Sequence, residues 1–119
     1  MPRAVDGTRR KDRRNKILKQ AKGYWGRRSK LHRTAKDAVA KSLQYAYRDR
    51  RARKRDFRRL WVTRISAACR AEGMSYSRFI EGLNKADIQV NRKALSNMAI
   101  EDPSAFKQLV ETARKNANV

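Results

Sequence analysis

The chain has 119 residues, of which 32 are Lys or Arg and 11 are Asp or Glu, giving a net charge of +21 and a pI near 11.4. So large a basic excess is beyond what solubility asks of a small domain, and it makes nucleic acid the default partner. The single cysteine excludes an internal disulfide and any Cys/His zinc constellation, no run of 18 apolar residues is present to span a membrane, and the N-terminal residues carry no apolar signal core.

The charge is unevenly placed. Residues 1–60 hold 23 basic and 5 acidic side chains, net +18, whereas residues 61–119 hold 9 and 6, net +3. This asymmetry predicts a basic helical extension over residues 1–56 and a globular all-helical domain over 57–119. Residues 1–7, with Pro2 and Gly7 and no periodicity, read as an extended tail that Arg3 makes basic. Thr8 suits the N-cap of a helix over Arg9 to Lys22, where Ile17, Leu18 and Ala21 form a short apolar patch. Opposite that patch stand Arg9, Arg10, Lys11, Arg13, Arg14, Lys16, Lys19 and Lys22. Gly23 and Gly26 then enclose Tyr24 and Trp25, the pattern of a bend where backbone approaches a partner closely.

From Arg27 to Glu72 there is neither glycine nor proline. An uninterrupted helix over those 46 positions would be roughly 70 Å long, about twice the diameter of a small domain. Its stripe of Leu31, Ala35, Val39, Leu43 and Ala46 is narrow and suits one neighbour, so the arm needs support from outside the chain. From Phe57 larger residues take over at helical spacing, with Leu60, Trp61, Ile65, Ala68 and Cys69, and the helix is expected to enter a core there. Cys69 fits that core as a small hydrophobe rather than a nucleophile.

Gly73 has the character of a C′ residue, and Ser75 caps a short helix that would bury Phe79, Ile80 and Leu83. Asn91 opens another helix with Leu95 and Met98 inward. Asp102 followed by Pro103 starts the last one, whose apolar face is Phe106, Leu109, Val110 and Ala113. The expected fold is all-α, a long basic helical N-terminal arm leading into a small C-terminal helical bundle. The bundle, near the lower size limit for folding alone, is expected to fold without its partner, and the arm to order on binding.

The densest charge lies between Arg48 and Arg59, with eight bases and two acids in twelve positions. At 100° per residue, Arg48, Arg50, Arg51, Arg53, Lys54, Arg55, Arg58 and Arg59 cover about two thirds of the helix circumference, with Asp49, Asp56 and Ala52 on the remainder. A helix in a DNA major groove reads bases from one face, so contact on several sides fits folded RNA better. Arg outnumbers Lys by 20 to 12, and the planar guanidinium grips phosphate bidentately or stacks on a splayed base. Tyr24, Trp25, Tyr45 and Tyr47 offer stacking surfaces among these charges, the alternative for Tyr45 and Tyr47 being to cover apolar patches or touch a protein neighbour. Pairs such as Asp49 with Arg53 offset part of the charge, but two acids do not balance eight bases.

Arg27, Arg28, Lys30, His32 and Arg33 complete the candidate contacts near the bend. His32 is the only histidine, and between Lys30 and Arg33 it suits a phosphate contact better than proton transfer. No carboxylate pair has metal-ligand context and no Gly-rich phosphate loop follows a strand. The expectation is therefore no enzyme, no metal, no cofactor and no small-molecule substrate.

Four strings carry a resemblance: KILKQAKGYWGRRS from Lys16, YAYRDRRARKRDFRRLW from Tyr45, GMSYSRFIEGLNKA from Gly73 and NRKAL from Asn91. Together they resemble the bacterial ribosomal protein L-twenty family. The resemblance implies a structural constituent of the large ribosomal subunit, in the cytoplasm, that binds large-subunit (23S-type) rRNA directly and stabilises its fold during early subunit assembly. It also implies neighbouring large-subunit proteins as partners, one copy per ribosome and no homo-oligomer. The basic positions from Arg48 to Arg59 match the family's basic stretch, and Arg92 with Lys93 matches the motif that opens a late helix. Asp6, Asp12, Asp37 and Asp56 depart from the pattern, because they fall where neutral or basic residues are expected. The competing reading is a general nucleic-acid-binding or DNA-compacting protein. A membrane-active basic helix would need a broad apolar face, which Arg48 to Arg59 lacks.

Overall fold

A computed structural model describes residues 8–117, and among them every regular element is helical. The helices are α1 (Arg9–Gln20), α2 (His32–Ala71), α3 (Tyr76–Lys85), α4 (Arg92–Glu101) and α5 (Pro103–Asn116), with a 3-10 turn over Gly26–Ser29. The all-α expectation holds. The chain divides into two compact units, Met1–Arg51 and Ala52–Val119, and the division falls within α2. The tail that includes Arg3 and Asp6 lies outside the described residues.

In the first unit Thr8 holds the N-cap position of α1 in helical backbone geometry, and its carbonyl accepts from the Asp12 N–H at 2.8 Å. The helix stops at Gln20, two residues short of the expected Lys22, because Gly23 turns the backbone at φ +86° and Tyr24 N–H folds back to the Ala21 carbonyl at 3.1 Å. Gly26, at φ +57°, opens the 3-10 turn, which the Ser29 hydroxyl closes by donating to the Gly26 carbonyl at 2.9 Å. Helix α2 therefore begins at His32 and has 40 residues, not the 46 that the glycine-free stretch allowed. The reason is local: the Arg27 carbonyl accepts from both Lys30 and Leu31, the tightened pattern of a 3-10 segment.

The core of this unit is thin. Ala21, Ala35 and Val39 are buried, with Ile17, Leu18 and Tyr24 packed against them. Leu31, just ahead of α2, and Leu43 within it, the two large members of the expected stripe, remain exposed. Two alanines and a valine remove little apolar area from water.

The second unit has a far larger core, built from Ile65 and Cys69 of α2, Met74, Phe79 and Leu83, Leu95, and Phe106, Val110, Ala113 and Ala117. The Phe79 and Phe106 rings meet at 5.3 Å between centroids, tilted by 42°. Three junctions between its helices follow the expected signals. Gly73 at φ +74° donates to the Arg70 carbonyl while Met74 N–H reaches the Cys69 carbonyl, the paired bonds of a Schellman end. Asn91 Oδ1 accepts from Ala94 N–H at 2.8 Å to cap α4. Asp102 Oδ1 accepts from Ala105 N–H at 3.1 Å and from the Ser104 hydroxyl at 2.6 Å, with Pro103 in the first turn. The α3 end of the second junction carried no glycine signal: Asp87, at φ +54°, and Ile88 close α3 with the same paired bonds, to the Asn84 and Leu83 carbonyls.

One expectation is corrected. Phe57 and Leu60 are 47% and 40% exposed, and Trp61 is only partly covered, so the wider apolar stripe that begins at Phe57 does not mark entry into the core. Phe57 and Trp61 instead pack on each other, with centroids 6.2 Å apart. Burial begins at Ile65 because the partner helices are short, with 10, 10 and 14 residues. The α2 side chains in their shared core are confined to Ile65, Ala68 and Cys69, its final two turns.

Helices α3 and α5 touch backbone to side-chain-free backbone at Gly82. A Cβ there would overlap the Ala113 carbonyl group and lie 2.8 Å from its Cα. Gly82→Ala should therefore cost about 1–3 kcal/mol, read as a lower denaturation midpoint of the full chain in urea. Burial pushes the Cys69 thiol up to about 11, so at pH 8 roughly one molecule in a thousand carries the thiolate. Native protein should resist iodoacetamide at that pH while urea-unfolded chain is alkylated, as mass spectrometry would show.

The Ser104 hydroxyl and the Ala105 N–H hold the Asp102 carboxyl below its ordinary value. A depressed carboxylate contributes stability that is present above the unfolded value near 4 and is lost as pH falls through the folded one. Asp102→Ala should be less stable than the parent at pH 7, and its stability should fall less between pH 5 and pH 2.

Candidate nucleic-acid interface

The basic side chains of the first unit are on its surface. Arg9, Arg10, Lys11, Arg13, Arg14, Lys16 and Lys19 are exposed along α1, and Lys22 follows in the turn. Arg27, Arg28 and Lys30 are exposed in and beside the 3-10 turn, so they sit on the bend rather than on α2. His32 is the first residue of α2 and half-buried, and Arg33 beside it is exposed.

Along α2 each of Arg48, Arg50, Arg51, Arg53, Lys54, Arg55, Arg58 and Arg59 is exposed. Asp49 does not pair with Arg53 as the spacing suggested. It accepts from the Nε of its neighbour Arg48 at 2.9 Å, which raises the guanidinium above its usual value and keeps it charged. Arg48 is the only one of these eight cations in an ion pair among the described residues. The other seven make no ion pair among those residues and are spread, exposed, around the helix.

The tyrosines resolve differently from the indole. Arg48 lies 4.6 Å and Lys41 5.0 Å from the centroid of the Tyr45 ring, and Arg51 lies 4.8 Å from that of Tyr47. These contacts follow from helical spacing, since Lys41, Tyr45 and Arg48 stand four and three residues apart on one face. The rings thus brace cations, a use that neither stacking nor apolar cover anticipates. Lys41 is a further candidate that the sequence alone did not single out, although its spacing from Tyr45 is visible there. Tyr24 is half-buried against the Ala21, Ala35 and Val39 cluster, whereas Trp25 is 92% exposed.

Trp25, Tyr24 and Tyr45 line a cleft of about 630 Å³, together with Arg28, Lys41 and Asp37. The bend brings the aromatic pair to the first turns of α2, so residues far apart in sequence share one concave surface.

In the second unit the two matched cations part ways. Arg92 is half-buried and donates from Nε to the Tyr76 hydroxyl at 2.8 Å, tying the start of α4 to the start of α3, while Lys93 is exposed. No group of three or more His, Cys, Asp or Glu residues comes together as a metal site among the described residues. Among them, no helix is long and apolar enough to cross a membrane.

The model of the family described as Ribosomal protein L20 matches residues 3–109. The chain belongs to the ribosomal protein L20 family. Among similar proteins, the large ribosomal subunit protein bL20 of Thermoanaerobacter sp. (strain X514) is 61% identical over 118 residues, covering 99% of each chain. That of Carboxydothermus hydrogenoformans is 58% identical over 116 residues, covering 98% of this chain and 99% of its own. That of Treponema denticola is 57% identical over the full length of both. L20-family proteins are structural, and the exposed cations from Arg50 to Arg59, which make no ion pair among the described residues, suit such a role better than any catalytic one.

Proposed function

We propose that this L20-family chain, a constituent of the large ribosomal subunit, binds large-subunit rRNA directly and stabilises its fold during early subunit assembly. The observation that carries the reading is the run of exposed cations from Arg48 to Arg59, of which Arg48 alone has an acidic partner among the described residues. Such a surface lowers its energy by displacing counterions from a polyanion, and its spread around the helix fits phosphates arriving from several strands.

In this reading residues 1–56 are the RNA-binding extension and residues 57–119 the globular helical part, acting as a single copy beside other large-subunit proteins in the cytoplasmic ribosome. The thin core of Ala21, Ala35 and Val39 supports the division of labour, because so little apolar burial leaves the extension reliant on RNA for order. Arg92 serves the fold through Tyr76 before it serves RNA, whereas Lys93 faces solvent.

Binding of the full chain to a large-subunit rRNA transcript should weaken linearly in log salt. The combined variant Arg50→Ala, Arg53→Ala, Lys54→Ala should reduce the slope by about 0.7–0.9 for every phosphate that is no longer neutralised. A filter-binding or polarisation titration at several salt concentrations checks this. Preference for the rRNA over duplex DNA at moderate salt separates the ribosomal reading from general nucleic-acid binding, and equal affinities would overturn it.

A further inference from the structure

The cleft beside the bend contains one residue that a purely basic surface does not explain. Asp37 lines it, in a half of the chain whose net charge is +18, and it makes no ion pair among the described residues although Arg33 and Lys41 lie one turn to either side. A carboxylate left unpaired between two cations has both oxygens open as acceptors. Thr34 lies three residues earlier on the same helical face and also lines the cleft, so an acceptor pair and a hydroxyl donor stand side by side.

The cleft also has a stacking surface. Trp25 is 92% exposed, and its ring makes no aromatic or cation contact among the described residues. Tyr45 is already engaged by Lys41 and Arg48, which leaves the indole as the free ring. Arg28 and Lys41 place positive charge on the cleft. A volume of about 630 Å³ is in the range of small-ligand sites and admits a base with its ribose.

From these features we propose that the cleft seats one unpaired guanosine of the bound RNA. Guanine alone among the four bases presents two adjacent N–H donors, N1–H and the N2 amino group, on its Watson–Crick edge, beside the O6 acceptor. Asp37 takes the two donors, Thr34 donates to O6, the base stacks on Trp25, and Arg28 with Lys41 holds the flanking phosphate. Adenine and cytosine each offer a single amino group beside an acceptor, and uracil flanks its one donor with two carbonyls that a carboxylate repels. The aspartate that departs from the basic pattern thereby acquires a role in discriminating bases, while the surrounding cations supply affinity without discrimination. The inference rests on the RNA-binding reading and deepens it.

The test uses the full chain and labelled heptaribonucleotides of uridine with guanosine, inosine or adenosine at the centre, read by fluorescence polarisation at moderate salt. The guanosine heptamer should bind roughly tenfold tighter than the adenosine one. Inosine, which lacks the N2 amino group, should fall between them. Asp37→Asn should abolish the preference for guanosine while binding of the all-uridine heptamer stays equal or improves, and Asp37→Glu should retain part of it. Trp25→Ala should weaken every heptamer without changing the salt slope, and Trp25→Phe should restore most of the affinity. Circular dichroism of each variant bound to RNA confirms equal helix content.

Equal affinity for the three heptamers, or an undiminished guanosine preference in Asp37→Asn, overturns the proposal. So does displacement of the heptamer by guanosine monophosphate at comparable concentration, which would make the cleft a free-nucleotide site. Tight, selective binding of large-subunit rRNA alongside indifference among the heptamers refutes only the guanosine seat. Absence of any preference for rRNA over duplex DNA refutes the broader reading instead.

Discussion

Electrostatic repulsion within α2 is the constraint to which the rest of the molecule answers. Between Arg48 and Arg59 the sequence contains eight like-charge pairs three or four residues apart and three pairs of opposite sign. Each like pair disfavours the helix on its own. The structure offsets little of this internally, since Asp49 turns to the adjacent Arg48 and the tyrosines hold cations over their rings. What remains is excess positive charge along the helix, which in the proposed function is offset in the state bound to RNA. Arginine suits that state better than lysine, because its weakly hydrated planar head exchanges water for phosphate or an aromatic face at lower desolvation cost.

The second unit answers to a different force. Its ten buried core residues come from four helices and the ends between them, and its helix termini are closed by Gly73, Asn91 and Asp102 in the positions where each residue type satisfies orphan backbone groups. Apolar burial and capping supply this unit with order from within its own sequence. The Arg92 to Tyr76 bond illustrates how such a unit absorbs a cation into its framework. Apart from Arg51, which lies over Tyr47, the exposed arginines between Arg50 and Arg59 have been given no such place in the fold.

Much of this is legible in the amino-acid sequence. Periodicity and capping signals placed all five helices, because Ser75, Asn91 and Asp102–Pro103 act locally and need no tertiary information. The fold of the bend was less legible: the glycines announced a turn, but the 3-10 segment that delays α2 to His32 depends on how the Arg27 carbonyl is shared. Phe57 and Leu60 misled because hydrophobic spacing reports a face without reporting whether anything covers it. Asp87 escaped notice since a non-glycine residue at positive φ leaves no mark in composition. For the candidate interface, the cation run was plain in the sequence. The cleft of Trp25 and Asp37 was not, because the residues are joined only by the path of the bend.

The absence of a side chain at Gly82 has a mechanical consequence. Sliding α3 along α5 by one turn in either direction would bring Arg78 and Phe79, or Lys85 and Ala86, to the spot where the Ala113 backbone now meets bare Cα. None of these side chains fits that gap, so the pair has a single tooth and a single notch. Helix pairs that respond to a ligand do so by small shears or one-turn ratchets. This pair is denied the one-turn ratchet, so α3 and α5 keep a single register whatever binds the bundle.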